Sequence, residues 1–156
     1  MKGILIATAF FLLSQIAFAK EINLSSCADV GASLESVLFG PENQKSYYNG
    51  NVGLIVYDTI EPAAASYGIA VVHNEPVETH AGFISRKCLA IPYLSGVDLK
   101  SAVSSYDAKT GLTVIIPIIM NDGITGLGRD TKVKINIKTI NTGRIDEGHV
   151  VTAEEI

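Results

Sequence analysis

The sequence of 156 residues contains no tryptophan and only five phenylalanines. Its core must therefore be built mainly from aliphatic side chains. Neither sign of charge dominates, because the sequence has 12 basic and 16 acidic residues and a formal net charge of −4. A mildly acidic chain without a dominant basic region is a poor candidate for binding nucleic acid or an anionic membrane.

The short motifs of common enzyme classes are absent as well. The sequence has no G-x-S-x-G, no H-E-x-x-H, no C-x-x-C and no glycine-rich dinucleotide-binding pattern. Serine, histidine and aspartate occur, but neither their order nor their spacing marks a catalytic triad. We therefore expect no cofactor, and we place a non-enzymatic role ahead of catalysis.

One long apolar run is present, at the N-terminus. Lys2 precedes the apolar segment 4–13, and Ala17-Phe18-Ala19 has the small-x-small pattern of a signal-peptidase site. The run is short for a transmembrane helix, which needs about 20 apolar residues. We expect residues 1–19 to be a signal peptide. Residues 20–156 would then form a single exported domain, periplasmic or secreted, with no transmembrane span.

Only two cysteines occur, Cys27 and Cys88. In an exported protein an even count favours a disulfide, which here would join the N-terminal segment to the middle of the chain. The alternative is lipidation of Cys27, since Leu24-Ser25-Ser26-Cys27 resembles a bacterial lipobox. The charged residues Lys20 and Glu21 separate this tetrapeptide from the apolar run, which departs from the usual pattern, so we expect the disulfide.

The segment 112–120 is the most apolar run outside the leader and is rich in β-branched residues. Such residues fit a buried strand. Gly111 precedes the segment and Asn121-Asp122-Gly123 follows it, and both are turn signals. Pro117 has no N–H to give to a ladder, so we expect a bulge there or a partner strand on one side only.

Alternating apolar and polar residues predict further strands. The clearest is 132–138, where valine and isoleucine alternate with lysine and asparagine; such lysines typically protect an exposed sheet edge. The other predicted strands are 52–57, 67–73, 83–91, 97–106 and 147–152, with turns at Asn49-Gly50 and at 93–96. His149, in the last of them, is expected at the surface.

Together these patterns predict an all-β fold, a single antiparallel β-sandwich or small β-barrel with at most one short helix. The segment 26–39 is ambiguous, because its apolar residues fit helical spacing and also alternate loosely. We favour a strand over 33–39, since the rest of the chain is strongly β.

One stretch could carry metal chemistry. His73, Glu75, Glu78 and His80 place two imidazoles and two carboxylates close together in the sequence. These side chains are plausible ligands for Zn²⁺ or Cu²⁺. Their spacing matches no helical two-histidine motif, and solvated polar residues in a loop between strands are the alternative.

The sequence therefore predicts an exported, non-enzymatic β domain with a binding or structural role in the envelope or extracellular space. Its partner would be an unknown protein or small ligand. The loops 75–82 and 121–130 are where we expect the function, because rigid β scaffolds usually carry it on loops. Two alternatives stay open: a small metal-dependent or hydrolytic enzyme that uses the stretch 73–80, and a secreted inhibitor.

Overall fold

The computed structural model describes residues 19–59, 65–75, 85–121, 127–140 and 148–156. Almost all of the predicted leader lies outside these ranges. The strands in chain order are β1 (Lys20–Ile22), β2 (Ser25–Ser26), β3 (Gln44–Tyr47), β4 (Val52–Asp58), β5 (Tyr67–Asn74), β6 (Arg86–Val97), β7 (Val103–Asp107), β8 (Gly111–Asn121), β9 (Gly128–Ile140) and β10 (Gly148–Glu155). The only helical elements within these ranges are two short 3₁₀ turns, Cys27–Val30 and Tyr48–Gly50.

All ten strands belong to one antiparallel sheet, which confirms the all-β prediction. The main path of the sheet runs β1-β10-β9-β8-β6-β5-β4-β3, while β2 pairs with β6 and β7 pairs with β8. In the part of the chain that is described, β1 and β3 end this path without pairing to each other, so hydrogen bonds do not close the sheet into a barrel. That part also contains no helix of the length and apolarity that a membrane crossing would need.

Strand β6 joins two halves of the sheet. It pairs with β5 from Arg86 to Leu94 and with β8 from Leu94 to Val97, so Leu94 has a partner on each side. Against β5 the register shifts between Ile91 and Leu94, and Tyr93, which lies in this interval, has a φ of 63°, in the left-handed region that non-glycine residues rarely adopt. The turn predicted at 93–96 is therefore wrong: the strand continues through a bulge, and a bulge bends a strand.

The bend allows the two halves to pack face to face. Strands β5 and β10 are not neighbours in the sheet, yet they contact each other. The buried aliphatic side chains of both halves form one cluster, as the composition predicts. Its members are Val52, Leu54, Val56, Ile69, Val71, Ile91, Leu94, Leu99, Leu112, Val114, Ile116, Ile118, Val133, Ile135, Ile137, Val151 and Ala153.

The apolar segment is the central strand β8, and Pro117 is accommodated as expected. On one edge β8 pairs with β9 along its whole length. On the other edge its partner is β7 as far as Ile115 and β6 from Ile118 onward. Pro117 lies at this change of partner, where no ladder needs its N–H, and its carbonyl accepts the N–H of Asp98 at 3.0 Å.

Three other sequence expectations need correction. The strand at 132–138 is present within β9, but β9 lies between β8 and β10 and is not an edge. One of its lysines, Lys134, instead faces an acidic partner on β10, because its ammonium lies 2.6 Å from the Glu154 carboxylate. The strand predicted at 97–106 is interrupted, because Asp98 accepts the Ser101 N–H at 3.1 Å and so stabilises a turn before β7.

The strand favoured over 33–39 is also wrong. In this segment Gly31 ends the first 3₁₀ turn with a φ of 70°. The Ser36 hydroxyl then accepts the N–H of Ser33 and donates to its carbonyl, both at 2.9 Å. This local hydrogen bonding competes with a ladder, and Val37 makes only an isolated bridge to Tyr57.

The edges of β3 and β7 approach each other and are joined by side chains. The Lys45 ammonium donates to the carbonyls of Lys100 and Ala102, at 3.4 and 3.1 Å. Further along the same two strands, Tyr47 of β3 forms a hydrogen bond with the side chain of Ser104 of β7. These side-chain bonds cover two edges that would otherwise expose unpaired backbone groups.

Cys27 and Cys88 form a disulfide with a Cα–Cα distance of 5.5 Å, as predicted. The Cys27 sulfur is thereby unavailable for a lipid. The bridge lies next to the pairing of β2 with β6, where Ser26 is opposite Leu89. It therefore fastens the N-terminal segment to the first half of the sheet.

Opening this disulfide should lower the free energy of unfolding by about 4 kcal/mol, because it closes a long loop in the unfolded chain. Urea unfolding with and without a reductant measures the loss. The double variant Cys27→Ser/Cys88→Ser should have the urea midpoint of the reduced protein, and the reductant should not change that midpoint. Equal urea midpoints for oxidised and reduced protein would contradict the prediction.

Gly111, at the start of β8, should not tolerate a side chain. Its φ is +88°, and a Cβ there would overlap the Ile137 carbonyl oxygen of β9. We expect Gly111→Ala to cost about 2 kcal/mol or more in unfolding free energy. Gly53→Ala is the matched control, because a Cβ there would meet Val72 at an ordinary 4.0 Å. An equal loss in both variants would refute the role of the Gly111 backbone.

Candidate functional site

A cleft with a volume of about 1010 Å³ opens between the two halves of the sheet. The first half contributes residues of β4, β5 and the segment before β3, and the second half contributes residues of β6, β8 and β9. The lining residues are Leu38, Asn43, Val56, Tyr67, Ser95, Gly96, Val97, Asp98, Pro117, Ile118, Ile119, Asp130, Thr131, Lys132 and Ile156. Sites for small molecules typically have volumes of about 300–1,000 Å³, so the cleft is large enough for one.

The floor and walls of the cleft are apolar. Val56 and Ile118, one from each half, are almost completely buried. Gly96 leaves room for the Ile119 side chain in the cleft wall, because a Cβ on Gly96 would be only 3.1 Å from the Ile119 Cδ1 atom. The wall therefore depends on the absence of a side chain at this position of β6.

One polar group is buried in this apolar surface. The Ser95 hydroxyl is inaccessible to solvent and has no hydrogen-bond partner among the described residues. A buried hydroxyl without a partner costs free energy, about 1–3 kcal/mol in proteins. A ligand that forms a hydrogen bond with the Ser95 hydroxyl would remove this free-energy cost.

Charged residues lie at the mouth of the cleft. Asp98, Asp130 and Lys132 are exposed. The Ser101 side chain and backbone N–H both hydrogen-bond Asp98 and lower the pKa of its carboxyl, so Asp98 is ionised at neutral pH. The described lining contains no histidine or cysteine.

The predicted metal ligands are only partly described. Glu75 forms an ion pair with Lys87 at 3.7 Å and accepts the Ser85 hydroxyl at 3.4 Å. Glu78 and His80 lie outside the described residues, so the four-residue metal set remains a prediction. Within the described ranges, no group of three or more His, Cys, Asp or Glu residues is arranged to hold a metal ion.

His73 is instead buried beside another histidine, at the opposite end of β5 from the cleft. His73 and His149 are each 2% exposed, and their ring centroids are 6.4 Å apart. The expectation of a surface position for His149 is therefore wrong. The available signal was alternation along β10, where His149 shares the buried face with Val151 and Ala153.

Sequence reasoning missed the cleft itself. Ser95 and Gly96 fell in a predicted turn, and neither residue type marks a binding surface. The loop 75–82, which was expected to carry function, is described only at Glu75. The other such loop, 121–130, is described at Asn121 and at 127–130, and Asp130 lines the cleft. The only sequence feature that indicated an irregularity in β6 was the presence of Pro92 and Gly96 within one apolar run.

Comparison of the chain with protein-family models, with curated proteins and with solved structures finds no match. The function therefore has to be argued from the geometry of the described residues.

Burial of His73 should make the stability depend on pH. Burial lowers the pKa of His73 below its ordinary value of 6.5 and outweighs the opposing hydrogen bond to the Asn74 carbonyl; Lys87 lowers the pKa further and Glu75 raises it. Below about pH 6.5 the unfolded chain binds a proton that the folded His73 resists. The free energy of unfolding should therefore fall as the pH decreases through this value.

Urea unfolding at a series of pH values from 8 to 5 measures this slope, whose limit for one proton is about 1.4 kcal/mol per pH unit. The variant His73→Gln should show a shallower slope, because its side chain does not titrate. A slope that His73→Gln leaves unchanged would contradict the prediction.

Proposed function

We propose that this protein is an exported, non-enzymatic binding protein that holds a small amphipathic molecule in the cleft between the two halves of its sheet. The observation that supports this most directly is the buried Ser95 hydroxyl among the apolar walls of a cleft of about 1010 Å³. Ligand sites combine apolar walls with a few placed polar groups in this way.

The cleft also indicates the chemistry of the ligand. An apolar body would contact the partly exposed side chains of Leu38, Val97 and Ile119, and a single hydrogen-bonding group would reach Ser95 once its buried hydroxyl rotates towards the cleft. At the mouth, Asp98 and Asp130 outnumber Lys132, so a neutral or cationic polar group is favoured over an anionic one.

Binding is favoured over catalysis because the charged residues Asp98, Asp130 and Lys132 are exposed at the mouth of the cleft, whereas the one buried polar atom within it is a hydroxyl without a hydrogen-bond partner among the described residues. The enzyme alternative rests on the stretch 73–80, in which Glu75 is already engaged by Lys87. No described residue supports the inhibitor alternative. Export is supported by the signal-peptide pattern at residues 1–19, and the Cys27–Cys88 disulfide is compatible with an oxidising compartment.

Replacing Ile119 by lysine should weaken ligand binding. Ile119 lines the cleft and is 39% exposed, so a lysine can be placed there without disrupting the buried core. Val150→Lys is the matched control, because Val150 is 43% exposed on β10 and lies away from the cleft. We expect a loss of affinity of about tenfold or more in Ile119→Lys, equivalent to roughly 1.4 kcal/mol, and none in Val150→Lys.

Two measurements carry this test. Native mass spectrometry of protein purified from its host without detergent looks for a co-purifying small molecule, and titration with an apolar fluorescent probe gives the affinities. Circular dichroism confirms that both variants are folded. Wild-type protein that carries no molecule and binds no probe would refute the proposal, and so would equal losses in the two variants.

A further inference from the structure

A second group of side chains lies at the other end of the sheet and is separate from the cleft. It consists of His73 near the end of β5, His149 at the start of β10, and Tyr48 in the 3₁₀ turn before β4. We propose that these three residues form a binding site for one divalent first-row transition-metal ion, Zn²⁺ or Cu²⁺.

His73 is oriented as a metal ligand would be. Its Nδ1 atom lies 3.0 Å from the Asn74 carbonyl oxygen. A carbonyl oxygen can only accept a hydrogen bond, so Nδ1 carries the proton and Nε2 keeps its lone pair. Nε2 is buried and has no hydrogen-bond partner among the described residues. Metal-binding histidines are commonly fixed in this way, with the second ring nitrogen donating to a backbone carbonyl.

His149 brings a second imidazole to the same place. The two histidine rings lie nearly perpendicular, at 85°, with centroids 6.4 Å apart. Each ligating nitrogen of a zinc site lies about 2.0–2.1 Å from the metal, so metal binding would draw the two rings closer together than the 6.4 Å that now separates their centroids. The ring positions are fixed by β5 and β10, which belong to opposite halves of the sheet.

Tyr48 supplies an oxygen donor. Its ring centroid is 5.2 Å from that of His149, and its hydroxyl is buried without a hydrogen-bond partner in the described part of the chain. Tyr48 and Asn49 have φ values of 50° and 54°, a conformation that costs free energy and needs support from its surroundings. Arg86 provides part of that support by donating to the Gly50 carbonyl at 2.9 Å.

The donor set selects the class of ion. Two imidazole nitrogens and one phenolic oxygen suit Zn²⁺ or Cu²⁺, whereas Ca²⁺ and Mg²⁺ prefer sets composed of oxygen. Leaving buried polar atoms without partners is costly. A bound metal ion would satisfy the His73 Nε2 and Tyr48 hydroxyl atoms together.

Metal titration of tag-free protein by isothermal calorimetry tests the site. The sequence contains three histidines, His73, His80 and His149, so His80→Gln is a matched control for His73→Gln and His149→Gln. We expect one ion per chain, an affinity reduced on the order of 100-fold in His73→Gln and His149→Gln, and no change in His80→Gln. Tyr48→Phe should weaken binding and alter the visible and electron paramagnetic resonance spectra of the Cu²⁺ complex.

Three results would overturn the proposal. The first is wild-type protein that binds neither Zn²⁺ nor Cu²⁺. The second is loss of binding in His80→Gln together with retained binding in His149→Gln. The third is a Tyr48→Phe variant with the affinity and the Cu²⁺ spectrum of the wild type. If a glutamine variant does not fold, a Zn²⁺-dependent rise in the melting temperature of wild-type protein that Tyr48→Phe diminishes supports the site. The absence of that rise in wild-type protein refutes it.

Discussion

The bend in β6 is the constraint on which the rest of the structure depends. Next to Tyr93, at Leu94, the pairing with β5 ends and the pairing with β8 begins, so one continuous sheet becomes two facing halves. Only this arrangement lets the aliphatic side chains of β4 and β5 bury those of β8 and β9 in one cluster. Burial of apolar area is the dominant favourable term in folding, and the disulfide and the β3–β7 side-chain bonds reinforce the same closure.

Both candidate sites follow from the facing halves. At one end of the molecule the halves leave a cleft, with the Ser95 hydroxyl buried in its apolar surface. At the other end they bring His73 and His149 together. In each place a buried polar atom lacks a partner among the described residues. The two proposals thus rest on the same physical argument, that such atoms are costly unless a ligand satisfies them.

Local sequence pattern defines individual strands of this protein, whereas contacts between distant residues define how the strands pair and pack. The strands at 52–57, 67–73 and 132–138 were predictable because a period of two is a property of neighbouring residues. The partners of those strands were not, so the lysine row of β9 was assigned to a sheet edge when the strand lies inside the sheet. His149 was misplaced for the same reason, since its burial depends on packing against a strand that is distant in sequence.

The sequence by itself determined the all-β class, the central apolar strand β8, the aliphatic core and the pairing of Cys27 with Cys88. Each of these follows from composition, from alternation along the chain or from there being only two cysteines. The tertiary structure alone decided where β6 bends, which residues line the cleft, and that His73 meets His149 rather than remaining a lone imidazole in a strand. These features depend on contacts between residues far apart in the chain, which local pattern does not encode.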